Sequence, residues 1–341
     1  MTSGSHLIRS AGLAGYLEVA RFAGLDPHAM LRKAGLPRNC LDQPDTLISM
    51  EAACNLLEHS AAATGMEDFG LRMAATRRIS NLGPVLLVMR QERTALGALR
   101  TLLNYNRLLN DALLAHIEQD QDLVLIQEDL VVNSSVPTRQ SMELTVGVMV
   151  QVLKELLGAA WQPRSICFTH RKPRDASFHR SYLGRNVDFN AGFNGIVCNA
   201  VDLQRELPAA EPLLAGFARR ALDAELSARR VGGSEAVRHL IAAMLGNGRC
   251  TVDKLAQHLG VSRATLHRQL TAEGETFSSL LESVRRDVAL RLQSESDRSL
   301  DDVAAMLGFS SASAFAHWYR AAFATSFARS RREMRSRSVQ R

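Results

Sequence analysis

One eleven-residue pattern occurs twice in the last third of this 341-residue chain and constrains what that third can fold into. Residues 252–262 read VDKLAQHLGVS and residues 300–310 read LDDVAAMLGFS, a constant offset of 48. Each copy places Ala (256, 304), then Leu three residues on (259, 307), then Gly (260, 308), an apolar residue (Val261, Phe309) and Ser (262, 310). A helix-turn-helix is written this way. Thr251 and Ser299 are expected to cap the first helix of each unit through a side-chain oxygen. Asp253, and Asp301 with Asp302, put negative charge in the first turn, where the helix dipole favours it. The small alanines let a second helix cross closely. The glycines stand where the turn needs positive φ, which glycine adopts cheaply. Ser262, and Ser310 or Ser311, then cap the second helix, the element that enters a major groove.

Between the copies, Phe277, Leu280, Leu281, Val284, Val288 and Leu292 recur at three and four residues, so 276–294 is expected to be one helix. At 1.5 Å per residue it spans roughly 27 Å, enough to hold two recognition helices about one DNA turn apart. In the first recognition helix the spacing sends Leu266 and Leu270 inward and leaves Arg263, Ala264, Thr265, His267 and Arg268 outside, beyond the capping Ser262. Arg268 is the best candidate for bidentate bonds to guanine. In the second, Phe315 and Tyr319 face inward, and Ser311, Ala312, Ser313, Ala316, His317 and Arg320 face out. Arg329, Arg331, Arg332, Arg335 and Arg337 follow as a basic tail past the last expected helix, suited to phosphates or to disorder.

At these residues the chain resembles the DNA-binding domain of the AraC/XylS family of bacterial transcription regulators. The matching marks include Leu255-Ala256, 259–262, Leu266, Arg268, Leu270, Glu273-Gly274, Phe277, Arg285, Ala289, Val303-Ala304, 307–310, Ser313 and Phe315. The resemblance implies that Ala264 and His267 also face bases, that the bound partner is double-stranded operator DNA, and that RNA polymerase is contacted at promoters. The family's Trp-x-Gly-x-x-Pro end is altered: Gly has become Ala324 and Pro has become Phe327, and the usual Arg is replaced by His317. The departures imply a second reading head that is weaker or tuned to another sequence.

Charge follows the repeat. Residues 246–341 hold 15 basic and 10 acidic side chains, whereas the other 245 residues hold 26 and 25, so nearly all of the net +6 lies where phosphate binding requires it. Residues 1–10 lack a signal-peptide core, and no apolar run approaches the roughly 20 residues of a membrane helix. The five cysteines are scattered and odd in number, without disulfide or zinc spacing. A cytoplasmic protein without cofactor or metal is expected.

Upstream, 7–23 reads as a helix with Leu13, Leu17 and Ala20 on one side. Asp26-Pro27 and Ser49 open further helices, and Thr94 caps one carrying Leu96, Leu99, Leu102 and Leu103, a stripe fit for core or pocket. Residues 114–118 and 123–127 form a hairpin. Helix returns at 141–157, short strands follow at 165–169, 187–189 and 195–198, and 213–229 is helical. Val231-Gly-Gly-Ser234 is the clearest linker. The expected architecture is therefore an α+β sensing and self-association domain over 1–230, a linker at 231–234, and an all-α domain over 235–341 with two helix-turn-helix units joined by a linker helix. Gly35-Leu36-Pro37, Phe69-Gly70-Leu71, Gly83-Pro84, Trp161-x-Pro163, Phe168-x-His170 and Phe193-Asn194-Gly195 resemble the amino-terminal "arabinose-binding" domain that often precedes this module. The resemblance implies a small-molecule effector and a homodimer. The sugar itself is not carried over, because the arabinose regulator's sensor is a β-barrel and this half reads mostly helical.

No phosphate loop, dinucleotide fingerprint or zinc-protease motif occurs. His170 and His179, with Arg171, Lys172, Arg174 and Arg180 around them, read as a solvated basic loop rather than a metal or anion site. The sequence thus points to a one-component, sequence-specific transcription regulator with no catalytic residues. The rival is an alkyl-transfer DNA-repair enzyme carrying the same DNA-binding module. Its chemistry needs an activated cysteine, typically in Pro-Cys-His, and none of the five has that setting.

Overall fold

The computed structural model describes residues 7–130, 132, 136–208, 212–228, 234–245, 250–259, 261–294 and 299–338. The chain divides into two compact units, Met1–Arg229 and Arg230–Arg341. The expected linker residues 231–233 and the turn residue Gly260 lie outside the described residues. Ser234 already opens a helix, Ser234–Leu245.

The first unit is mixed α and β. Strands β1 (Leu7–Arg9) and β2 (Leu47–Ser49) pair antiparallel. Strands β3 (Leu113–Asp120), β4 (Leu123–Leu130), β5 (Ser165–Phe168), β6 (Val187–Phe189) and β7 (Asn194–Asn199) form one sheet in the order β3-β4-β7-β5-β6, parallel only between β5 and β6. The hairpin and the three short strands arise where alternation and turn residues place them. Val124, Ile126 and Glu128 of β4 are buried on one face, with period two. The helix Arg139–Leu157 lies in the core, and Val146, Val150 and Leu153 on it have no exposure. It meets the helix Phe69–Thr76 closely: a Cβ on Gly70 would stand 1.9 Å from the Gln140 carbonyl oxygen, so glycine is required there. Gly70 N–H donates to Gln140 Oε1 at 2.8 Å across the same contact.

Local capping follows the sequence. Asp26 accepts from the backbone N–H of His28 and Ala29, Ser49 from Ala52, and Thr94 from Gly97. Trp161 is buried and donates Nε1–H to Asp202 at 3.2 Å.

Two sequence expectations fail here. Residues 7–23 are not one helix: β1 is followed by a 3-10 turn at Ser10–Leu13, and the α-helix covers only Tyr16–Phe22. Gly15 sits at φ 85°, against the Thr76 side chain, and breaks the continuity that the apolar spacing suggested. The inward face is Tyr16, Val19 and Ala20, with Leu17 only half-buried. The second failure is the basic loop. His179 is fully buried on the helix Ser177–Leu183 and His170 largely so; their Nε2 atoms lie 3.1 and 3.2 Å from the wholly buried Glu143. Burial holds the His170 imidazole below its ordinary pKa. Arg171, Lys172, Arg174 and Arg180, by contrast, face solvent. Charge along the sequence masked an apolar environment built by Phe168 and Phe189, whose rings lie 5.0 and 5.6 Å from that of His170.

Candidate DNA-binding surface

The second unit is entirely helical among the described residues, and its repeat in sequence is a repeat in space. The first helix-turn-helix comprises Val252–His258 and Arg263–Ala272; the second comprises Leu300–Met306 and Ala312–Phe323. In both turns the same bond closes: Val261 N–H to the Ala256 carbonyl at 3.0 Å, and Phe309 N–H to the Ala304 carbonyl at 2.9 Å. Leu255, Ala256 and Leu259 are buried in one copy, and Val303, Ala304 and Leu307 in the other. Gly308 takes φ 72°, the left-handed turn conformation the motif calls for.

The caps form as the residue types demand. Lys254 N–H donates to Thr251 Oγ1, Thr265 N–H to Ser262 Oγ, and Ala314 N–H to Ser311 Oγ, so Ser311 rather than Ser310 is the second cap. Ser299 and Asp302 form a reciprocal capping box. The hydroxyls of Ser262 and Thr265 also bond to each other at 2.9 Å.

Inward and outward positions fall as the period directs. Leu266 and Leu270 are buried, while Ser262, Arg263, Ala264, His267 and Arg268 are exposed and Thr265 is half-exposed. Arg263 lies 3.7 Å from Asp253, both well exposed. On the second recognition helix Phe315 and Tyr319 are buried. Ser311, Ser313, His317 and Arg320 are exposed, and Ala312 and Ala316 are intermediate. One face of each helix therefore presents cations, imidazoles, hydroxyls and small residues.

The helix Phe277–Ser294 joins the two helix-turn-helix motifs and grips the second of them. Arg285 on it donates Nε–H to the Leu307 carbonyl at 3.1 Å and lies over the Phe309 ring at 4.5 Å. Glu282, one turn earlier, accepts from Trp318 Nε1–H at 2.8 Å. Sequence reading marks Arg285 only as a family match; the structure gives it a task, fixing the turn that aims the second recognition helix. The helix Ser234–Leu245 was not anticipated. Its Arg238 bonds Glu275 at 2.9 Å and Ser283 at 2.5 Å, tying it to the start of the linker helix.

The carboxyl-terminal departures have structural consequences. Phe327, where the family has Pro, is buried with its ring 5.3 Å from Phe315 and 5.2 Å from Tyr319. It opens a further helix, Phe327–Ser338. Arg329, Arg331, Arg332, Arg335 and Arg337 are thus carried on a helix, not on a tail past the last one. The Arg331 guanidinium lies over the Phe327 ring at 4.9 Å, so phosphate binding is not the only role open to it. An apolar anchor three residues after the left-handed Ala324 was invisible to a reading that expected Pro.

Ala324 holds φ 54° as the cap of Ala312–Phe323, with its N–H bonded to the Arg320 carbonyl. A residue with a Cβ is strained there by about 1–2 kcal/mol, partly offset by the entropy that glycine would lose. Ala324→Gly is expected to stabilise the second unit by about 0.5–1 kcal/mol and to raise its melting temperature by several degrees. A lower melting temperature would show that the left-handed conformation is not strained.

The cysteines bear on the repair-enzyme rival. Cys40, Cys54, Cys167 and Cys198 are buried and Cys250 half-buried, all unpaired. Burial pushes the thiols of Cys54 and Cys250 up to about 11 and that of Cys198 up to about 12. An alkyl acceptor needs the opposite, an easily formed thiolate. No helix among the described residues is long and apolar enough to cross a membrane.

Residues 24–207 match the arabinose-binding domain of AraC transcription regulators, and residues 255–333 match a helix-turn-helix domain. The HTH-type transcriptional regulator VirS of Mycobacterium tuberculosis is 28% identical over 310 residues, covering 90% of this chain and 91% of the relative. The ornithine utilization regulator of Pseudomonas aeruginosa is 21% identical over 318 residues, 93% and 94% of the two chains. Among solved structures, the transcriptional regulator CdpR of Pseudomonas aeruginosa aligns with a TM-score of 0.44 at 18% identity, over 90% of this chain and 96% of its own.

Proposed function

The chain belongs to the AraC transcription regulators with an amino-terminal arabinose-binding domain, and we propose that this DNA-binding regulator reads two successive major grooves under control of a small molecule. The observation that carries the reading is the paired motif itself: two turns with the same hydrogen bond, each followed by a recognition helix with an exposed polar face. Arg263, Ala264, Thr265, His267 and Arg268, with the capping Ser262, approach one groove. Ser311, Ala312, Ser313, Ala316, His317 and Arg320 approach the next. Guanidinium and imidazole groups read base edges, and backbone N–H groups at the capped helix starts hold phosphates. Effector binding to the first unit shifts the population toward the arrangement that binds operator and recruits RNA polymerase.

Self-association belongs to the same proposal. The helix Pro212–Ala228 buries Ala215, Ala218 and Leu222 but leaves Leu213, Leu214 and Phe217 exposed at 75%, 51% and 60%. Water-facing apolar side chains on one turn suit pairing with the same helix of a second copy.

Selection of DNA fragments by the purified full chain tests the reading. The expected product is one family of sites with two blocks about one helical turn apart, bound against excess random DNA. In sedimentation the full chain is expected as a dimer and a fragment spanning the second unit as a monomer that still binds the site. Enrichment of no sequence over random DNA would leave an architectural DNA-binding protein as the better account.

A further inference from the structure

The first unit holds a partly open cavity of about 150 Å³, walled by β1 and the turn after it, by Leu102 and Leu103 of the expected stripe, and by Leu144, Val148 and Val152 of the long helix. Its lining is mostly hydrocarbon, and dry cavities of about this size elsewhere accept a benzene-sized guest. One ionisable group breaks the pattern. Glu128 of β4 lines the cavity at 2% exposure, and neither of its carboxyl oxygens finds a hydrogen-bond partner.

A buried carboxyl without partners costs stability, and folds rarely keep one without use. Three arginines also line the cavity, yet none serves as its counter-ion. Arg9 is bonded to Asp45, and Arg77 donates to the Gly12 carbonyl. Arg78 is exposed, its backbone engaged with Asn81. Across the sheet Glu128 faces Ala115 on β3 and Asn194 on β7, neither of which titrates. From the long helix the cavity receives Ser141, Thr145 and Gln151 but no charged side chain. Desolvation is the one influence on the Glu128 carboxyl, and it pushes the pKa up to about 8.

We propose that this cavity is the effector site, and that it takes a compact apolar molecule bearing a protonated amine, with Glu128 as the counter-ion that the protein itself does not satisfy. The inference rests on the reading of the first unit as a small-molecule sensor and adds the ligand's chemical class and its anchoring residue. The apolar body replaces cavity void against the leucines. The ammonium donates to both carboxyl oxygens. On binding, the Glu128 carboxyl gives its proton to solvent and the two charges pair, so the ligand enters as the cation and one proton leaves.

The test uses the full chain with three ring-sized probes: cyclohexylamine, cyclohexanol and cyclohexanecarboxylate, followed by calorimetry. At pH 8.5 cyclohexylamine is expected to bind at least about tenfold more tightly than the alcohol or the acid, the scale of one charge-assisted bond. Because binding expels a proton, its affinity is expected to fall about tenfold per pH unit below pH 8, while that of cyclohexanol stays level. That pH profile needs no variant. Glu128→Gln, checked for an intact melting transition, is expected to bind cyclohexanol as the wild-type chain does and to lose the preference for the amine, because no carboxylate is left to pair with the ammonium. Equal affinity for amine and alcohol on the wild-type chain, absence of amine binding, or amine binding unchanged in Glu128→Gln would each overturn the proposal. The sensing reading fails separately, if the amine-loaded chain binds its selected DNA site no differently from the free chain.

Discussion

Replacing Phe315 with alanine is expected to cost the second helix-turn-helix about 3–5 kcal/mol, as truncation of a large buried aromatic does. Phe315 has no exposure and stands at the centre of an aromatic cluster, with Phe327, Tyr319, Phe309 and Trp318 rings at 5.3, 5.7, 5.8 and 6.0 Å. No polar group is left behind to reward collapse of the void, so the full cavity cost applies. Domains of this size are stable by about 5–15 kcal/mol, and the loss is a large share of that total. Calorimetric melting of the full chain should show the transition of the first unit unmoved and that of the second displaced downward. Under the two-groove reading, affinity for a complete operator should fall to that for an operator carrying the first block alone. Unchanged affinity beside a displaced transition would mean that the second recognition helix does not read DNA.

The same cluster shows which parts of the molecule were legible in sequence. The motif positions are set by local rules: a cap needs a short oxygen-bearing side chain, a tight turn needs positive φ, and a recognition helix needs apolar residues three and four apart. Those rules placed Ser262, Ser299, Gly308, Leu266 and Tyr319 without error. They failed where the deciding partner is distant in sequence. Leu7–Arg9 is a strand because Leu47–Ser49 pairs with it, and nothing local announces that pairing. His179 is buried because Glu143 and Phe189 meet it from other elements, against the surrounding arginines. Glu128 reads as an ordinary polar position in an alternating strand; only the packing of the long helix over β4 makes it a buried carboxyl. The exposed positions of the two recognition helices were accessible to period counting, whereas the cavity residues come from elements between residues 8 and 152 and have no sequence signature of their own.

Arg268→Ala is expected to cost about 1–3 kcal/mol on the operator and to relax preference at one base position. The reason is geometric. Arg268 stands on the helix Arg263–Ala272 between the buried Leu266 and Leu270, and its side chain is exposed. Each neighbour two positions away is about 200° around the helix, so Arg268 points away from the core, on the face proposed to enter the groove. There its planar fork matches the two acceptors that guanine presents in the major groove. Random DNA offers that fork no fixed partner, so affinity for random DNA should scarcely change. Arg332 provides the contrast: it is exposed on the helix Phe327–Ser338, outside both recognition helices. Arg332→Ala should weaken operator and random DNA alike and flatten the salt slope by about one unit, because one phosphate is no longer neutralised. Arg331 is a poorer contrast, because its guanidinium stacks on Phe327 and its removal would disturb the aromatic cluster as well. Binding isotherms on both DNAs across a salt series separate these outcomes. Equal weakening of both DNAs by Arg268→Ala would assign Arg268 to the phosphate backbone and move base reading to other residues on that face.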